Sequence, residues 1–191
     1  GKHMAHHDGG FSTWRVDLTE ELTEESLLAI LVDNTPNDYV YPQVADFTFY
    51  GGLYRNVNLI CVPESHFDLD YYGTPGIKVT PIMEGADAKV AVETFLTGRK
   101  EGQIVRYALK NQDGKVIGTF EGGAKANFRI QNAHLWNGRK DPYLYSMTAE
   151  LVEGEEILDT VSTRFGCRFF EIDPERGFIL NGEEYPLRGV A

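Results

Sequence analysis

The stretch richest in chemistry runs Asp46-Phe47-Thr48-Phe49-Tyr50-Gly51-Gly52-Leu53-Tyr54-Arg55. It sets a carboxylate and a guanidinium on either side of an aromatic run broken by two glycines. Paired glycines permit a backbone bend or bulge that a β-carbon would block. Arg55 has the donor geometry to hold a carboxylate or backbone carbonyls bidentately and so lock the bend. That clamp is a commoner use of a buried arginine than direct contact with a ligand. Asp46 suits the end of a strand, where its side chain caps a turn.

Other reactive side chains are scattered. Asp68 and Asp70 share one strand face, but no further oxygen donors lie at the spacing of a cation loop, so a solvated strand edge is expected. His6 and His7 beside Asp8 have the types for metal or acid–base work, yet they flank Gly9-Gly10 and read as surface or interdomain residues. His66 and His134 stand alone in the sequence. Trp14 and Trp136 could stack on a sugar ring, although burial inside a sandwich is the commoner use of tryptophan. There is no Ser-His-Asp arrangement, phosphate loop or dinucleotide fingerprint.

The 191 residues carry a net charge of −11. That charge disfavours nucleic-acid backbones and anionic membrane surfaces as partners. No apolar run approaches the roughly 20 residues that span a bilayer. The two cysteines, Cys61 and Cys167, lie far apart without zinc or CxxC spacing. They point to a reducing, cytoplasmic setting, with each thiol a buried small hydrophobe. Hydrophobic content of 42% is enough for a core, and the 12% aromatic share favours strands.

The elements that must position these residues read as all-β. Ala88, Val90, Val92, Thr94 and Leu96 alternate with more polar neighbours. Strands at 104–109 and 115–120 flank Asn111-Gln112-Asp113-Gly114, a hairpin signal. Tyr145, Met147, Ala149 and Leu151 alternate before Gly154, and Ile157, Asp159, Val161, Thr163 and Phe165 alternate after it. Asn181-Gly182 predicts a last hairpin. Turn signals about every ten residues argue for sandwiches. Near the start, one helical turn is expected at Thr19 to Leu22, followed by a buried strand over Leu27 to Val32 that stops at Asp33-Asn34-Thr35-Pro36. A single helix across 18–32 is the alternative. A hinge is expected at Val62 to Ser65, because proline cannot continue a central strand.

Several of these segments resemble glycoside hydrolase family 2, the β-galactosidase and β-glucuronidase family. The resemblance rests on the Asp46 to Val57 run, on Gly9 to Trp14 with Val16 to Thr19, on Leu135-Trp136-Asn137-Gly138 with Asp141-Pro142-Tyr143-Leu144-Tyr145, and on Phe165-Gly166-Cys167-Arg168 with Phe178 to Gly182. Each motif alone carries little; their order and spacing carry the resemblance. It implies the end of a galactose-binding-like jelly-roll sandwich (1–63), an immunoglobulin-like β-sandwich (64–170), and a hairpin (171–191) leading to a catalytic barrel beyond the chain. Gly1-Lys2-His3-Met4 then reads as half of a hairpin turn, with a cloning remnant the alternative.

The resemblance further implies that Asp46 reaches into the barrel's sugar site and contacts substrate. Catalysis by retention needs two carboxyl groups about 5–5.5 Å apart, and the family carries both on the barrel. This chain alone is therefore expected to be inactive. The implied parent is a homo-oligomer acting on carbohydrate, with magnesium or sodium ions but no cofactor or metal in this segment. The pattern Phe49 to Arg55 favours β-galactosidase over β-glucuronidase. A free-standing glycan- or protein-binding sandwich and a purely structural spacer remain the competing classes.

Overall fold

The computed structural model describes residues 1–41, 45–46 and 48–189. Phe47, from the aromatic–glycine run, lies outside the described residues. The chain divides into two compact units, Gly1–Cys61 and Val62–Ala191.

In the first unit the described residues form turns and extended chain, with no regular strand or helix. The expected helical turn is present: the amides of Glu21 and Leu22 both donate to the Leu18 carbonyl, at 2.9 and 3.1 Å. Asp17 Oδ1 accepts the Thr19 amide at 2.8 Å and caps that turn. Asp33 Oδ1 accepts the Thr35 amide at 2.9 Å, forming the breaker anticipated before Pro36. The buried strand expected over Leu27 to Val32 does not form. Leu27 and Leu31 are 96% and 95% exposed. An apolar run becomes a strand only when neighbouring backbone takes its hydrogen bonds, and no described segment of this unit supplies a ladder. The longer helix over 18–32 is not adopted either. Cys61, expected to be buried, is exposed.

Among its described residues the second unit holds strands and no helix. Their order is β1 (His66–Phe67), β2 (Ile77–Glu84), β3 (Asp87–Thr94), β4 (Leu96–Thr97), β5 (Ile104–Lys110), β6 (Val116–Gly122), β7 (Lys125–Ile130), β8 (Tyr145–Glu153), β9 (Glu156–Phe165), β10 (Phe170–Asp173), β11 (Gly177–Leu180) and β12 (Glu183–Glu184). A three-stranded sheet, β2-β3-β7, and a four-stranded sheet, β6-β5-β8-β9, send their inward rows into one core. Every ladder in them is antiparallel. Two small sheets, β1-β4 and β10-β11-β12, complete the unit.

Alternation explains the core. Ala88, Val90, Val92 and Thr94 of β3 are buried, as are Val105, Tyr107 and Leu109 of β5 and Tyr145, Met147, Ala149 and Leu151 of β8. Pro81 sits on β2, an edge strand, one of the few places where a sheet tolerates a residue without an N–H. The Tyr107 hydroxyl lies 3.0 Å from Thr94 Oγ1 and donates to the Gly123 carbonyl at 2.9 Å, so the one polar atom of a buried ring also links the two sheets.

The 111–114 hairpin forms as expected, with Gly114 at φ 80°. Asn181 and Gly182 both adopt positive φ, 52° and 87°, which a two-residue turn between paired strands requires. The simple alternation expected along β9 fails at its start. Register slips between Leu151 and Val152, so Leu158 packs against the core and Ile157 turns to solvent.

Candidate functional site

In the first unit the bend at Gly51-Gly52 has a local cause. Gly52 takes φ 93°, and a β-carbon on Gly51 would lie 3.1 Å from the Asn34 side chain. Asn34 Nδ2 donates to the Phe49 carbonyl at 3.2 Å, holding the aromatic run against the Asp33–Thr35 turn. The clamp is therefore Asn34, which sequence reasoning missed, because its contact lies fifteen residues away. Arg55 is exposed and does not grip the bend; its guanidinium sits over the Tyr54 ring at 5.4 Å. The Tyr54 hydroxyl donates to the Gly10 carbonyl at 3.1 Å and ties the run to the Gly9-Gly10 turn. Asp46 is exposed, next to half-buried Ala45.

The histidines near the start do not converge on one reactive group. His6 Nε2 pairs with Asp8 Oδ1 at 3.1 Å, whereas His7 contacts Ser12 Oγ at 3.3 Å and stacks on Trp14 with ring centres 5.5 Å apart. Carboxylate and hydroxyl thus touch different imidazoles, and no relay from acid through base to nucleophile is assembled. Trp14, expected inside a sandwich, is 45% exposed. Among the described residues, no group of three or more His, Cys, Asp or Glu side chains could hold a metal ion. Asp68 Oδ1 is occupied by the Asp70 amide at 2.6 Å.

In the second unit three of the sequence motifs meet at one junction. The Trp136 amide donates to the Cys167 carbonyl at 2.8 Å, and Leu135 bridges Cys167 in parallel. Asn181 Nδ2 donates to the Trp136 carbonyl and to Asn137 Oδ1, at 3.1 and 2.8 Å, while its Oδ1 accepts the Phe169 amide at 3.1 Å. Gly138 and Gly166 allow close approach here. A β-carbon on Gly138 would lie 2.2 Å from the Tyr185 hydroxyl, and one on Gly166 would lie 2.7 Å from Trp136 Cβ. Arg168 stacks over the Trp136 ring at 5.0 Å. Trp136 is half-buried at this junction and not enclosed in the sandwich. These residues fasten the last hairpin to the sandwich.

Two features of the second unit bear on reactivity. Cys167 is fully buried, and desolvation pushes its thiol from 9.0 up to about 11. It therefore stays protonated near neutrality and is a poor nucleophile. His134 is not isolated: Nε2 contacts Asp141 Oδ2 at 2.6 Å and the ring stacks on Tyr143, centres 4.0 Å apart. Tyr145 Oη accepts the His134 amide at 2.9 Å, so one side chain of the core fixes the backbone of this loop.

Comparison with known proteins places this arrangement. Residues 75–168, from the start of the sandwich to the junction, match the family model of Glycosyl hydrolases family 2. A β-glucuronidase of Bacteroides fragilis is 30% identical over 99% of the chain, and a β-galactosidase of Thermoanaerobacter pseudethanolicus is 26% identical over all of it. The chain spans 29% and 26% of those two proteins. A solved structure of an FMN-binding β-glucuronidase from Facaelibacterium prausnitzii L2-6 is 40% identical, with a TM-score of 0.75 over 83% of this chain and 25% of that one. The ordered motifs, the all-β architecture and these matches together mean that the chain belongs to glycosyl hydrolases family 2.

Proposed function

We propose that this chain is the non-catalytic β-sandwich region of a retaining β-glycosidase that removes a terminal β-linked sugar. Residues 1–63 would be the end of a sugar-binding jelly roll, 64–170 an immunoglobulin-like sandwich, and 171–191 the lead-in to the catalytic barrel. The observation that carries this reading is the ordered alignment of the whole chain with glycosidases more than three times its length. In it the two catalytic carboxyl groups belong to the barrel, and the sandwiches frame the substrate. Asp46 is the proposed contact: a carboxylate accepts hydrogen bonds from two sugar hydroxyls, and removing it leaves them unpaired in a dry site.

Two sugars compete. The 40% identity with a β-glucuronidase supports a β-glucuronide. The Phe49-Tyr50-Gly51-Gly52-Leu53-Tyr54-Arg55 pattern and the match to a β-galactosidase support a β-galactoside. The parent is proposed to be a cytoplasmic homo-oligomer. The test is to assay the full-length protein, and this chain by itself, on nitrophenyl β-glucuronide and nitrophenyl β-galactoside. Turnover of one glycoside by the full-length protein, with none by the chain, is expected. Turnover by the chain, lost on substituting one of its own glutamates, would overturn the non-catalytic reading.

A further inference from the structure

A groove of about 370 Å³ opens at one end of the four-stranded sheet, between the β5–β6 turn and the loop before β8. Gln112, Pro142, Leu144, Ser146 and Arg164 line it. The turn and the loop are fixed to one another. The Leu144 amide donates to Gln112 Oε1 at 3.3 Å, and the Gln112 amide donates to Tyr143 Oη at 3.3 Å. Strand register sets the floor: Ser146 pairs with Arg164 across β8 and β9, and Lys110 of β5, paired with Ser146, continues the row beside the groove. Because Leu109, Tyr145 and Phe165 beside them point into the core, this row faces outward.

The groove is chemically one-sided. In a chain of net charge −11, Lys110 and Arg164 enter no ion pair among the described residues. The nearby carboxylates are engaged elsewhere: Asp113 accepts from Asn111 Nδ2 at 3.3 Å, and Asp141 is held by His134. Gln112 uses its oxygen on Leu144, which leaves the amide nitrogen as donor. Gln112, Ser146 and Arg164 thus offer donors inside the groove, Lys110 stands beside it in the same outward row, and Pro142 and Leu144 supply an apolar wall. Convergent donors beside an apolar wall suit a ligand with an anionic group, several hydroxyls and a C–H face.

We propose that this groove binds an acidic saccharide unit. Its carboxylate sits between Lys110 and Arg164, its hydroxyls meet Ser146 and Gln112, and its ring lies against Pro142 and Leu144. The test reads binding and melting and does not read catalysis. The full chain is titrated with methyl β-D-glucuronide, methyl β-D-glucoside and acetate, following backbone amides by NMR. The glucuronide should shift Gln112, Leu144, Ser146 and Arg164 and bind about tenfold or more tighter than the glucoside, the worth of one charge-assisted hydrogen bond. Arg164→Gln and Lys110→Gln should each weaken the glucuronide about tenfold, leave the melting temperature unchanged and leave the glucoside unaffected. Equal binding of the two glycosides, acetate binding as tightly as the glucuronide, or shifts confined to other residues would each overturn the proposal.

Discussion

At the scale of single residues, burial and partner geometry separate reactive side chains from inert ones. Cys61 is exposed and Cys167 buried, so a disulfide reagent should label one thiol of the native chain promptly and the second only after denaturation. The same burial gives a pH dependence. Desolvation raises the Cys167 thiol to about 11 and also raises the Tyr107 and Tyr145 hydroxyls. For groups whose folded pKa is raised, the unfolded chain loses its protons first. Their contribution is therefore complete below about pH 9 and is lost as pH climbs toward about 11. Thermal melting of the sandwich across that alkaline range should show a falling midpoint; a flat profile would contradict the burial. Asp46 makes the opposite kind of prediction. In the full-length enzyme, Asp46→Asn exchanges one acceptor for a donor. Losing a charged hydrogen bond of roughly 1.5–3 kcal/mol lowers kcat/KM about ten- to a hundred-fold. Its exposure means that melting should barely move. Unchanged kcat/KM would remove it from the site, and a large fall in melting temperature would mark it as structural.

At the scale of elements, the decisive contacts are those that fasten one hairpin to another. Asn181 serves twice: its backbone takes φ 52° in the β11–β12 turn, and its side chain bonds to Trp136, Asn137 and Phe169. Two substitutions separate the roles. Asn181→Gly keeps the positive φ but deletes three hydrogen bonds, and Asn181→Ala loses both. Each net hydrogen bond is worth roughly 0.5–1.5 kcal/mol, so losing three in Asn181→Gly should lower unfolding stability by about 1.5–4.5 kcal/mol. Asn181→Ala should cost up to about 1–2 kcal/mol more, the penalty of a left-handed alanine. Denaturant melts of both variants check this, and a wild-type-like Asn181→Gly would show that the side-chain bonds contribute nothing.

At the scale of the whole chain, the two units differ in how their backbones are satisfied. Val62–Ala191 holds its backbone in antiparallel ladders around one hydrophobic core. Gly1–Cys61 relies, in its described residues, on turns and scattered side-chain bonds, and it exposes Leu27, Leu28, Leu31 and Leu59. Local opening is easiest where ladder bonds and buried apolar contacts are few. Limited proteolysis of this chain should therefore cut first within 1–61 and leave a resistant core beginning near Val62. First cuts inside β5 or β8 would reverse that order.

The sequence by itself determined what depends on near neighbours. Period-two alternation placed Val90, Val92, Met147 and Leu151 in a core, and turn residues placed Gly114 and Asn181-Gly182 at hairpins. Four ordered motifs were enough to point to the family. What only the tertiary structure decided depends on backbones distant in the chain. Leu27 to Val32 reads as a strand, yet a strand needs a neighbour to take its hydrogen bonds, and the described part of its unit supplies none. The exchange of Ile157 for Leu158 follows from a register slip against β8, invisible in β9 alone. The Asn34 clamp, the His134–Asp141 pair and the Lys110–Ser146–Arg164 row likewise join residues set by loop path and cross-strand register. Alternation states which face a side chain takes; only pairing between strands states what it meets there.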